Sequence, residues 1–92
     1  MFNKLKQLKD LKDQAKVMQT ALSGEKITVE KRGVTIEMNG NMEVLSIVIS
    51  PDLAKEAIAE ASKIAINEAI KKTQQVMAKK MQEMGGLAGL GL

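Results

Sequence analysis

A chain of 92 residues makes one small domain with a thin core, because a chain of that size buries only a little over about 60% of the surface its unfolded form exposes. It contains neither cysteine nor histidine, which removes disulfides, thiolate chemistry and the usual zinc ligands together and leaves oligomerisation as the route to extra stability. A net charge of +3 permits a nucleic-acid partner without demanding one, and the single aromatic residue, Phe2, offers no stacking platform for single strands or for an RNA-recognition sheet.

Residues 4–22 read as an amphipathic helix. Leu5, Leu8, Leu11, Ala15, Met18 and Leu22 recur at helical steps, Asn3 precedes them as an N-cap, and Gly24 follows where the helix should stop. Lys6, Lys9, Lys12 and Lys16 gather on one flank and Lys4 adds a charge at the start. Only Asp10 and Asp13 oppose these five lysines.

Residues 26–50 change to a period of two. Ile27 and Val29 alternate with Thr28 and Glu30, and Arg32-Gly33 interrupts. Val34, Ile36 and Met38 alternate with Thr35 and Glu37 as far as the tight-turn signal Asn39-Gly40. Leu45, Ile47 and Ile49 continue the pattern. An antiparallel meander is expected, two long strands preceded by a short one, with Leu45, Ile47 and Ile49 packing on the following helix. Lys26, Lys31 and Arg32 are balanced by Glu30, Glu37 and Glu43, so the sheet is not the expected basic surface.

Ser50-Pro51-Asp52 supplies a favoured N-cap, a proline for the first helical position and a carboxylate for the positive end of the dipole, so a second helix is expected from there. Neither glycine nor a further proline interrupts residues 52–84, and a helix over 51–84 spans roughly 50 Å at about 1.5 Å per residue. It must outrun a three-stranded sheet. Its far half needs a surface to cover Val76, Met77, Met81 and Met84, and a second copy of the chain is the expected cover, which makes these four the expected dimer interface. Residues 85–92, four glycines and three leucines among them, are expected to be a flexible tail to a single domain over 1–84.

Catalysis is not expected. Without His or Cys a nucleophile needs a lysine or carboxylate base in a shielded pocket, and Glu56, Glu60, Glu68 and Glu83 lie among lysines as a solvated, ion-paired face. Gly85-Gly86 follows a helix instead of opening one, the wrong order for a phosphate loop. No metal, cofactor or small-molecule substrate is implied. No run of about 18 apolar residues exists to span a membrane, and the basic N-terminus does not lead into a secretory h-region, so a cytoplasmic protein is expected.

The lysine flank has three readings. A row of ammonium groups neutralises phosphates and releases counterions. Lysines also merely solubilise amphipathic helices, which suits a dimeric helical protein–protein adaptor with Met77, Met81 and Met84 as an adaptable groove. A peripheral membrane helix is the third reading, with only Phe2 to serve as its aromatic anchor.

Residues 34–53, VTIEMNGNMEVLSIVISPDL, resemble the signature of the YbaB/EbfC family of bacterial nucleoid-associated proteins: a strand ending in Asn-Gly, a strand of alternating Val and Ile, and a Ser-Pro step with a following Leu. Residues 58–72, IAEASKIAINEAIKK, are similar to the family's helix, including Ala65, Asn67, Ala69 and the basic pair. The Met-Phe opening, the Lys/Gln/Met-rich first helix and the Met-Gly-Gly-Leu ending are similar too. The chain departs from the family in lacking an acidic insertion after the proline step and a proline in the tail.

The resemblance implies an α+β fold, an α-β-β-β-α protomer with a small antiparallel sheet and long terminal helices, paired into a tweezer-like homodimer. It implies a nucleoid protein that associates with double-stranded DNA with little sequence preference and influences nucleoid organisation and gene expression. The family's DNA contacts come from the terminal helices. At the matching positions these are Lys4, Lys6, Lys9, Lys12 and Lys16 on the first helix and Lys71, Lys72, Lys79 and Lys80 on the last. The residues themselves agree on low specificity, since Arg–guanine pairing is the commonest base-specific contact and the only arginine, Arg32, sits in a turn.

Overall fold

The computed structural model describes residues 2–83, with side chains from residue 6 onward. In chain order the elements are α1 (Phe2–Ser23), β1 (Lys26–Lys31), β2 (Val34–Asn39), β3 (Val44–Ile49) and α2 (Lys55–Glu83). This is the expected α-β-β-β-α order. Met84, the expected tail over 85–92 and the side chains of Phe2, Lys4 and Leu5 lie outside the described residues.

The strands form one antiparallel sheet in the order β1-β2-β3. All three have six residues, so the first is not the short one that the sequence pattern suggested. Arg32-Gly33 does not shorten β1; it is the two-residue turn of the β1–β2 hairpin, with Lys31 paired to Val34. Both turn residues have positive φ, 51° and 92°, the primed turn whose twist matches that of paired strands. The left-handed φ favours glycine at Gly33, and a β-carbon there would lie 2.8 Å from Leu53 Cδ1, so the Leu53 side chain would have to shift.

The β2–β3 connection is longer than the Asn-Gly signal alone suggests. Asn39 organises it. Its side-chain Oδ1 accepts from the backbone N–H of Asn41 at 2.9 Å and of Glu43 at 3.1 Å, and its Nδ2 donates to Glu43 Oε1 at 2.9 Å. Asn39 is buried, and these bonds satisfy the polar groups that burial would otherwise penalise. Gly40 has a different task. Its N–H donates to Leu22 O at 2.9 Å, and a β-carbon on it would meet that oxygen at 2.6 Å. Asn41 Nδ2 donates to Gln19 O at 2.9 Å. The loop therefore caps the orphan carbonyls at the C-terminus of α1, with Glu25 N–H as a further donor to Leu22 O at 3.1 Å.

The core lies between α2 and one face of two strands. Ile27 and Val29 from β1 and Val34, Ile36 and Met38 from β2 face Ala61, Ala65 and Ala69 of α2, all buried. Each large aliphatic contributes roughly 1.5–3 kcal/mol by leaving water. Thr73 continues the four-residue spacing of the alanines and is also fully buried. Leu53, Ile66, Ile70 and Val76 flank this cluster.

Two expectations are corrected here. Leu45, Ile47 and Ile49 do not form the core with α2. Every residue of β3 is exposed, with Val44 at 48%, Leu45 at 53%, Ile47 at 51%, Val48 at 62% and Ile49 at 42%. The register puts Ile47 beside Ile36 and Ile49 beside Val34, on the helix-bearing face, but α2 lies over β1 and β2 and stops short of the third strand. A register shift between Glu37 and Met38 leaves Leu45 between the paired residues Val44 and Ser46. Second, α2 does not start at Pro51. Ser50 N–H is bound to Gly33 O at 2.9 Å, and Leu53 N–H turns back to Ser50 O at 3.3 Å. Proline is as favourable at the second position of a turn as at the first of a helix, and here the turn holds it. The helix follows, with Ile58 N–H donating to Ala54 O at 2.9 Å.

Neither helix is confined to the sheet. The radius of gyration is 17.7 Å, against about 12 Å for a compact chain of this length. The molecule measures 62 × 19 × 18 Å. α1 is an arm. Of its described apolar stripe only the end is covered, at Leu22 with half-buried Met18, whereas Leu8 is 63% exposed and Leu11 and Ala15 are also exposed.

Two substitutions test this account. Gly40→Ala pushes a β-carbon into Leu22 O and loosens the cap of α1, with an expected loss of about 1–2 kcal/mol that lowers the thermal midpoint by roughly 5–10 °C. An unchanged midpoint by circular dichroism would show that the loop does not hold the helix. Thr73 Oγ1 is buried with no hydrogen-bond partner among the described residues. Thr73→Val removes that unsatisfied hydroxyl at constant shape and is expected to gain about 1 kcal/mol in urea unfolding. A loss of stability would mean that the hydroxyl has a partner.

Candidate nucleic-acid interface

The lysines that the family resemblance selects fall into two sets. On α1, Lys6, Lys9, Lys12 and Lys16 are all exposed and share one flank of the arm, beyond the covered end of the helix. None of them forms an ion pair among the described residues, whereas Lys26, Lys63 and Lys80 do. Ten residues at about 1.5 Å each place Lys6 and Lys16 roughly 15 Å apart along the helix. Duplex DNA carries one charge per about 1.7 Å of axis, so a row of that length meets several phosphates at once. The side chain of Lys4 lies outside the described residues.

On α2 the four selected lysines are not equivalent. Lys71, Lys72 and Lys79 are exposed and unpaired among the described residues. Lys80 is committed: its Nζ lies 3.1 Å from Glu25 Oε1 and 3.8 Å from Glu83 Oε2, and its side chain is only 25% exposed. Glu25 stands between α1 and β1, so this pair ties the distal part of α2 to the root of the arm. The hydrogen bond and then the charge of Glu25 raise the Lys80 pKa above its ordinary value, with a smaller push from Glu83 and a partial offset by desolvation. A raised ammonium pKa means that the pair's contribution is fully present at neutral pH and is lost only as pH climbs through the alkaline range.

Lys72, Gln75, Val76 and Lys79 share one face of α2 and, with Ile27 and Lys26 of β1, line an open groove of about 410 Å³. No carboxylate belongs to that lining. The Lys26 ammonium is engaged with Glu37 Oε1 at 3.1 Å on the neighbouring strand. A smaller cavity of about 140 Å³ adjoins it, lined by Glu25, Val76, Lys79, Lys80 and Glu83.

Of the residues expected at a dimer interface, Val76 packs against the core of its own protomer, Met77 is half-buried and Met81 is exposed. Sequence reasoning missed both β3 as an uncovered apolar surface and Glu25 as the partner of Lys80. The first had a signal, since Val48 breaks the alternation and makes the strand apolar on both faces. The second had none, because the two residues are distant in the chain. Among the described residues no cluster of carboxylates is placed to hold a metal ion, and no helix is long and apolar enough to cross a membrane.

The model of the YbaB/EbfC DNA-binding family matches residues 1–88. The chain belongs to that family. Among related proteins, a nucleoid-associated protein of Chloroflexus aurantiacus is 42% identical over 62 residues, 62% of this chain and 62% of that protein. The match to the Chloroflexus relatives thus spans less than two thirds of their length. A nucleoid-associated protein of Syntrophobacter fumaroxidans is 31% identical across 96% of this chain and 83% of its own. The crystal structure of an uncharacterized protein from Helicobacter pylori superposes with a TM-score of 0.77 at 22% identity, covering 94% of this chain and 98% of that one, which establishes the shared fold. In this YbaB/EbfC chain, then, α1 carries its described lysines on an arm beyond the core, and α2 carries Lys72 and Lys79 beside β1.

Proposed function

We propose that this protein is a nucleoid-associated DNA-binding protein of the cytoplasm. It contacts duplex DNA mainly through lysine–phosphate interactions with little sequence specificity, and through these contacts influences nucleoid organisation and gene expression. The observation that carries the reading is the row Lys6, Lys9, Lys12 and Lys16, exposed and free of ion pairs among the described residues, on an arm that stands away from the core of a chain in a DNA-binding family. Such contacts read charge and spacing. Base-edge recognition lacks a suitable donor set, because Arg32 is held in the β1–β2 turn.

Fluorescence anisotropy of a labelled duplex across a salt series tests this. Each phosphate contact adds about −0.9 to the slope of log affinity against log salt, so a slope of roughly −3 to −6 is expected. The Lys9→Glu/Lys12→Glu/Lys16→Glu variant should abolish binding. No binding by the parent protein at low salt would overturn the reading and leave the protein–protein adaptor in its place.

The functional unit in this reading is a homodimer. Its support is β3, an edge strand with no charge and no proline, apolar on both faces and uncovered in the protomer. A charge-free strand meets a second copy of itself without like-charge repulsion, whereas the opposite edge, β1, carries Lys26, Glu30 and Lys31. The Ile47→Glu/Val48→Lys variant alters two half-exposed side chains and should sediment as a monomer with its circular dichroism retained. A dimer that survives these changes would place the seam instead at Val76, Met77, Met81 and Met84.

A further inference from the structure

We propose that the phosphate-contacting site of α2 is the groove between its Lys72–Lys79 face and the edge of β1, and that Glu25 withholds Lys80 from that site. The inference rests on the DNA-binding reading and divides the lysines of α2 into those that take phosphate and one that braces the fold.

The groove has the chemistry of a polyanion site. Lys72 and Lys79 are two helical turns apart on one face of α2, with the Gln75 amide between them as an additional donor. Among the described residues neither ammonium has a carboxylate partner, and the lining contains none. The walls of the groove are mostly apolar, with Ile27 buried and Val76 half-buried beneath, and every ionic side chain that lines it is a lysine. Lys26 contributes its stem, its ammonium being held 3.1 Å from Glu37. β1 is at the opposite edge of the sheet from β3, so pairing of two copies through β3 leaves the groove open.

Lys80 is the next residue after Lys79 and shares a cavity wall with it, but of the two only Lys80 is ion-paired among the described residues. Glu25 and Glu83 stand at 3.1 Å and 3.8 Å from its ammonium. A phosphate approaching Lys80 must displace Glu25 and then face two carboxylates. It therefore gains no net contact there, while Lys79 borders both cavities and has no ion pair among the described residues. The Glu25–Lys80 pair instead fixes the root of α1 against α2 and so sets where the arm's own lysines stand.

The salt slope of duplex binding, measured by anisotropy on the full chain, separates these roles. Lys72→Gln/Lys79→Gln should flatten the slope by roughly 1.8, two contacts at about 0.9 each. Lys80→Gln should leave the slope unchanged and lower the thermal midpoint. Glu25→Gln releases Lys80 and should steepen the slope by up to about 0.9. Circular dichroism on each variant confirms that it is folded. A slope that flattens in Lys80→Gln as in Lys79→Gln, or one unmoved in Lys72→Gln/Lys79→Gln, overturns the assignment while the parent's binding stands. If the parent protein itself does not bind the duplex, the DNA-binding reading falls and this site falls with it.

Discussion

The close seating of α2 on two strands of the sheet determines most of what this molecule presents to its surroundings. The residues it buries fully are small, Ala61, Ala65, Ala69 and Thr73 at a constant spacing of four, so the helix backbone approaches the sheet closely and the larger side chains come from β1 and β2. An α-helix with its side chains is about 10 Å wide and strands are about 4.8 Å apart, so one helix roofs two strands and no more. The third strand is left bare by geometry. The same seating brings Lys72 and Lys79 alongside the edge of β1 and carries the end of α2 past the end of the sheet.

The arm depends on a separate set of contacts. α1 has no basic residue in its last turn to complement its dipole, and its final carbonyls are served by amides of the β2–β3 loop. Asn39 shapes that loop, Gly40 lets it approach, and Asn41 reaches back to Gln19. With Glu25–Lys80 as a second tether, a helix of 22 residues is held chiefly at one end. Its remaining length is free to lie along a partner, and Lys6, Lys9, Lys12 and Lys16 are spared, among the described residues, the intramolecular pairing that would compete for phosphate.

Much of the fold is legible in the sequence because period is a local property. The helical steps of the first segment, the alternation of the strands and the run without glycine after Pro51 each reflect one element meeting one surface. What is not legible is which surface. Leu45, Ile47 and Ile49 form the most apolar of the alternating runs and so read as core, but an apolar run does not say whether its own chain's helix reaches it. Asn39-Gly40 signals a turn correctly, yet Gly40 is required by the carbonyl of a helix far away in sequence. Ser50-Pro51-Asp52 fits a helix start and a turn equally, and the hydrogen bond from Ser50 to Gly33, a tertiary fact, selects the turn. The lysines of the candidate site are visible as charges, but the distinction between Lys79 and Lys80 exists only in three dimensions.

The bare third strand also sets a hazard. VLSIVI is six residues of high β-propensity without charge, proline or glycine, the composition from which dry, interdigitated fibril spines are built. A lone protomer exposes that segment on an unguarded edge, and any like segment from another chain can extend the ladder indefinitely. The closed pairing proposed above would end the ladder after one step. In that proposal assembly and fibrillation draw on the same side chains, and what separates them is how quickly each newly made chain finds a correct mate.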